Sequence, residues 1–119
     1  MKPSQVKALD KLFSEVIRLR ANGYCEFCHK YVTYEGINPS HYYGRTHHST
    51  RWYEDNVQGL CTPCHMEFHN NRMTYFEWLF QRLDGDRMCA LADKAEDIIK
   101  MDYETIKTQL QNRIQELQR

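Results

Sequence analysis

Leu60-Cys61-Thr62-Pro63-Cys64-His65-Met66-Glu67-Phe68-His69 is the stretch on which the fold turns. It carries the second of two Cys-x-x-Cys pairs; the first is Cys25-Glu26-Phe27-Cys28, and 32 residues separate them. Each pair presents two sulfurs from a tight turn, and two such pairs close one tetrahedral zinc site. The expected staple is therefore Cys25, Cys28, Cys61 and Cys64. Four thiolates leave no coordination position for water, so this zinc is expected to be structural. His29 and His65 adjoin the pairs and can in principle replace a cysteine, but a four-sulfur site leaves both free.

Outward from the second pair, helical spacing runs from Thr62 to Leu83 through Met66, Phe68, Met73, Phe76, Leu79 and Phe80, until Asp84-Gly85-Asp86 interrupts it. Trp78 and Phe80 are assigned to its apolar side. On such a helix His65 and His69 share a face one turn apart, which suits two nitrogen ligands to one ion. Between the pairs, Gly36, Pro39, Gly44 and short β-prone runs such as Tyr31-Val32-Thr33-Tyr34 predict short strands and loops. That segment also holds Ser40-His41-Tyr42-Tyr43-Gly44-Arg45 and Arg51-Trp52-Tyr53-Glu54-Asp55-Asn56-Val57.

The flanks read as helices. Val6, Leu9, Leu12, Phe13, Val16 and Ile17 recur at helical spacing up to Asn22-Gly23, and the expected role of that helix is to cover the core. The tail from Met88 to Arg119 predicts one or two helices divided near Asp102, a plausible N-cap. Its stripe of Ile99, Tyr103, Ile106, Leu110, Ile114 and Leu117 can pack back on the domain or meet its copy in a homodimer; packing within the chain is the cheaper assumption. The expected division is residues 1–23, an N-terminal helix; 24–83, the zinc-stapled core; and 84–119, a helical extension.

At 119 residues with 41% hydrophobic content, the chain is one small domain with a modest core, the size at which a bound metal adds needed stability. Sixteen basic residues balance sixteen acidic ones, but residues 1–52 carry a local charge of +4 and residues 53–119 one of −4. A DNA-facing half and an acidic helical half produce this asymmetry, as does ordinary solvated surface. No run resembles a signal peptide or a membrane span, so no membrane partner is expected and the expected location is the cytosol. In a reducing compartment the paired cysteines point to metal rather than disulfides, and the odd Cys89 is expected to be a small buried hydrophobe.

The order His41, Asn56, His65, with cysteine pairs before the first and directly before the last, resembles the zinc-containing HNH (ββα-metal) endonucleases. Over about residues 10 to 70, the run Val16-Ile17-Arg18-Leu19-Arg20, the first knuckle, His41-Tyr42, Arg51-Trp52, Glu54-Asp55-Asn56-Val57 and the second knuckle are similar to the phage lambda NinG (Rap) recombination proteins. The resemblance implies an α+β fold with a small ββα-metal core. It implies His41 as general base, Asn56 as the residue that fixes its ring, and His65, with His69, as ligands to a catalytic Mg²⁺ or Mn²⁺, or another transition ion. It further implies cleavage of DNA to 5′-phosphate and 3′-hydroxyl ends, on branched recombination intermediates such as four-way junctions or D-loops, in host cytoplasm if the gene is a phage's. One position departs: many HNH enzymes carry an acid or a histidine just before the base as a metal ligand, and Ser40 stands there.

Arg45 and Arg51 are the candidates for DNA phosphate contacts, Arg51 having stacking on Trp52 or pairing with Glu54 as alternatives. Tyr42, Tyr43, Trp52 and Tyr53 can stack on bases, although a small loop core is the simpler use. His47 and His48 read as polar loop residues. The competing functions are a non-catalytic zinc module that binds DNA or protein, and a nicking or sequence-specific HNH nuclease.

Overall fold

The computed structural model describes all 119 residues. Helix α1, Pro3–Ala21, begins with proline in its first turn and ends where Asn22 (φ 53°) and Gly23 (φ 83°) turn left-handed. Gly23 is required twice over, because a Cβ there would lie 2.5 Å from the Tyr31 ring. Strands β1, Asn38–His41, and β2, Val57–Leu60, pair antiparallel with Ser40 opposite Gln58 and His41 opposite Val57. The connection between them contains the short α2, His48–Arg51, and one 3-10 turn, Glu54–Asn56. Directly after β2 come α3, Thr62–Asn70, then α4, Arg72–Glu96, and α5, Tyr103–Leu117. The class is α+β, with a two-stranded sheet whose second strand leads directly into α3. No helix is long and apolar enough to cross a membrane.

Successive residues of a strand face opposite ways, so the small sheet divides the core in two. On one face Ser40 and Gln58 meet α4: the one proton of the Tyr75 hydroxyl is shared between the Ser40 carbonyl (3.1 Å) and Gln58 Oε1. Around them Cys25, Leu60, Cys61, Phe68, Leu79, Leu83 and Leu91 form an apolar cluster. Phe68 stacks on Tyr75 with ring centroids 4.5 Å apart, an arrangement worth about 1 kcal/mol beyond area burial. On the other face Val57 packs with Leu9, Phe13, Val16 and Ile17 of α1 and with Ile106 and Leu110 of α5. Every residue of β2 is buried. Gly59 is where α1 comes closest, since a Cβ there would stand 3.1 Å from that of Ala21 and 2.9 Å from Ile37.

Several expectations change. The helix read from Thr62 to Leu83 is two, broken at Asn71 (φ −131°, ψ 83°), whose side chain caps Thr74 N–H at 3.3 Å. Asp84 breaks α4 with φ 64°, as its sequence suggests, and caps Arg87 N–H at 3.0 Å, so the helical run on to Glu96 starts afresh at this kink. Phe80 is 47% exposed rather than apolar-side, because α4 turns it, with Phe76 and Met73, away from both clusters. Cys89 is exposed, not buried. Asp102 is the N-cap of α5, accepting from Thr105 N–H at 3.0 Å. The stripe Tyr103, Ile106, Leu110, Ile114 and Leu117 packs on α1 within the chain, leaving Ile99 outside it. The first and last helices therefore form one layer.

Candidate functional site

The two cysteine pairs meet. Cys25 and Cys28 come from the turn after α1, Cys61 and Cys64 from the end of β2 and the first turn of α3, and the hydrogen bond from Glu26 N–H to the Gly59 carbonyl (2.8 Å) ties the two turns together. All four sulfurs lie within 4.8 Å of one another, and none is in a disulfide. Cys28 and Cys61 Sγ stand 3.8 Å apart, the edge of a tetrahedron with zinc–sulfur bonds of about 2.3 Å. Burial opposes the Cys25 thiolate, but backbone N–H groups of the two turns outweigh it and lower its pKa to about 7. Burial and the neighbouring sulfurs push Cys61 and Cys64 up. A divalent cation bound among the four sulfurs would displace their protons. The cluster can hold a metal ion such as zinc.

His41 ends β1, half-buried against Phe13, with ring centroids 6.3 Å apart. Its Nε2 lies 3.0 Å from the Arg51 carbonyl. A carbonyl only accepts, so Nε2 carries the proton and Nδ1 keeps the lone pair. Burial, helped by the charge of Arg45, holds the pKa below the ordinary 6.5 against the opposing pull of the Arg51 carbonyl and Asp10. The neutral imidazole is thus the resting form at neutral pH.

Asn56 is buried, and it does not touch that ring. Its Oδ1 accepts from Tyr43 N–H (2.8 Å), and its Nδ2 donates to the carbonyls of Tyr43 (3.0 Å) and Thr50 (3.1 Å). It closes the loop whose next residue, Arg51, holds His41, so its effect on the imidazole is relayed through backbone. Arg51 itself is committed elsewhere. It grips Asp10 of α1 with two bonds, Nε at 3.0 Å and Nη2 at 2.6 Å, donates to the Arg45 carbonyl (3.0 Å) and lies over Trp52. Asp10, not Glu54, is its acid. Arg51, the expected phosphate contact, thus has its guanidinium engaged within the chain. Arg45 is exposed, and its guanidinium has no partner in the chain.

The chain matches no family model, no curated protein and no solved structure. Its chemistry must be read from its own residues.

His65 and His69 stand one turn apart on α3, His65 half-buried and His69 exposed. Burial, with the charges of His69 and Arg45, lowers the His65 pKa, which favours the form that can ligate. The four cysteines are the one set of three or more His, Cys, Asp or Glu donors near enough to share an ion; the two histidines offer two nitrogens. Ser40 is buried and engages Tyr75 through its carbonyl.

Among the remaining candidates, Tyr42 packs edge-on against Tyr75, Trp52 is buried with Nε1 donating to Asp10 (3.0 Å), and Tyr53 lies under Lys94, the small loop core of the simpler reading. His47 and Ser49 hydrogen-bond the Ala95 and Lys94 carbonyls at 3.3 and 2.5 Å, satisfying the last turn of α4. Asp10 was hidden among the charges of an amphipathic helix. Its signal is position: it falls on the stripe Val6, Asp10, Phe13, Ile17, where an acid needs a partner.

Proposed function

We propose that the chain is a metal-dependent HNH-type DNA endonuclease in which His41 is the general base. The observation that carries the reading is the Arg51 carbonyl on His41 Nε2, which fixes the tautomer and leaves Nδ1 to accept a proton from an attacking water. Asn56 acts by holding the Thr50-Arg51 segment in place. His65 and His69 would hold the catalytic Mg²⁺ or Mn²⁺, their two nitrogens leaving the other positions to water and phosphate oxygen. When bound, that ion supplies positive charge to the crowded phosphorane and the departing oxygen. Arg45, unpaired and felt electrostatically by both His41 and His65, would hold the phosphodiester. The structural zinc on Cys25, Cys28, Cys61 and Cys64 keeps β2 and α3 in register with the turn after α1. By resemblance the substrate is branched recombination DNA.

A labelled four-way junction and its linear counterpart, incubated with Mg²⁺, Mn²⁺ or EDTA, test this with wild type and His41→Ala. Metal-dependent cutting that prefers the junction and disappears in the variant, with DNA binding retained, is the expected result. Ser40, where an acidic or imidazole ligand is usual, favours a second reading, a non-catalytic zinc module. Tight DNA binding with no cutting under any metal would establish that one.

A further inference from the structure

α1 does more than cover the core. A cleft of about 170 Å³ lies between it and β1, lined by Asp10, Ser14 and Arg18 of α1, by His41 and by Arg45. The charges in it are unequal. Asp10 is already neutralised by the two bonds from Arg51 and the one from Trp52. Arg18 and Arg45 have no carboxylate partner; the ion pairs of the chain fall to Arg20, Arg51, Arg82, Arg87 and Arg113. Arg18 is nevertheless held still, with Nε on the Ile37 carbonyl (3.0 Å), Nη1 on Ser14 Oγ (2.7 Å) and the Tyr34 ring 5.9 Å from its Cζ.

A guanidinium fixed by neutral groups keeps its full charge and a free edge for an oxyanion, and the entropy of placing it is already spent. The cavity richest in arginine differs. Around Gln58 it gathers Arg20, Arg82, Arg87 and Arg113, but each is paired with Glu26, Glu54 or Asp55.

We infer that the α1–β1 cleft is a phosphate-binding site, in which Arg18 and Arg45 grip a backbone phosphate of the nucleic acid beside His41. The inference rests on the nuclease reading for the identity of the ligand, but its test does not depend on cleavage. Junction affinity is measured at several salt concentrations, without Mg²⁺ or Mn²⁺, for wild type, Arg45→Gln, Arg18→Gln, the double variant Arg18→Gln/Arg45→Gln, Arg18→Lys and, as a control that does not line the cleft, Arg119→Gln. The same proteins are titrated with inorganic phosphate while the His41 ring nitrogens are followed by NMR, and thermal unfolding checks each fold. Arg45→Gln removes no internal bond and keeps the test valid if Arg18→Gln unfolds.

Each Gln variant is expected to weaken binding about tenfold and to reduce the salt slope by about one, with Arg18→Lys intermediate and the control unchanged. Phosphate is expected to move the His41 resonances in wild type and not in the double Gln variant. Junction binding by folded Arg45→Gln with wild-type affinity and slope would overturn the inference, even if the wild type cuts DNA. A phosphate response at His41 without any loss of DNA affinity would overturn it too, by making the cleft a site for free phosphate. Weakened binding in a protein that never cuts would sustain the cleft and remove the nuclease.

Discussion

Asp10 ties α1 to the loop that holds His41. Its carboxylate takes Arg51 and Trp52 together, and the Arg51 carbonyl in turn sets the His41 tautomer. Burial opposes the Asp10 charge, yet the Arg51 and Trp52 hydrogen bonds and the Arg51 charge win and hold its pKa below the usual carboxylate range. A depressed folded-state pKa gives stability that is present above the unfolded value, near 4, and is lost as pH falls through the folded one. Asp10→Asn is therefore expected to cost on the order of 2 kcal/mol at pH 7, and the gap from wild type should close below roughly pH 4; urea unfolding across pH 3 to 7 measures both. For the proposed catalysis the sign concerns His41: a general base reacts as the neutral form and its pKa is lowered, so the acid limb of kcat/KM should be centred below the ordinary 6.5. An acid limb centred above 6.5 would deny His41 the role of base.

At the scale of elements, the knuckles replace the sheet that a two-stranded fold lacks. Cys61→Ser is expected to leave the chain unable to hold zinc and largely unfolded, read by metal content and circular dichroism, whereas Cys89→Ser, on an exposed position, should behave as wild type. A folded, active Cys61→Ser protein would remove the structural role. These local features were legible beforehand because their information is local: two Cys-x-x-Cys spacings, an Asn-Gly stop after α1, an Asp-Gly-Asp break, an aspartate cap on α5. What was not legible depends on loop closure. Nothing in the spacing of His41, Arg51 and Asn56 says that a backbone carbonyl, not an amide side chain, meets the imidazole. The break at Asn71 escaped for a related reason, since the apolar pattern persists on both sides of it while the helix axis changes.

For the molecule as a whole, the α5 stripe packs against α1 within the chain. Leu110 is 6% exposed and lies against α1. Leu110→Ala should cost about 2 to 4 kcal/mol and leave the sedimentation behaviour unchanged; a changed sedimentation coefficient with intact stability would return the stripe to an intermolecular role. The pairing of α1 with α5 also joins the two ends of the described chain across everything between. On the ribosome, α1 is finished long before the partner that covers its apolar face exists. Residues 22–102 must be synthesised first, which at cellular rates takes roughly 4 to 16 seconds. Through that interval Leu9, Phe13 and Val16 are available to chaperones. The α1–α5 layer is therefore completed only after the knuckles and the histidines have been synthesised, so a nascent chain carries those residues before α1 has its final partner.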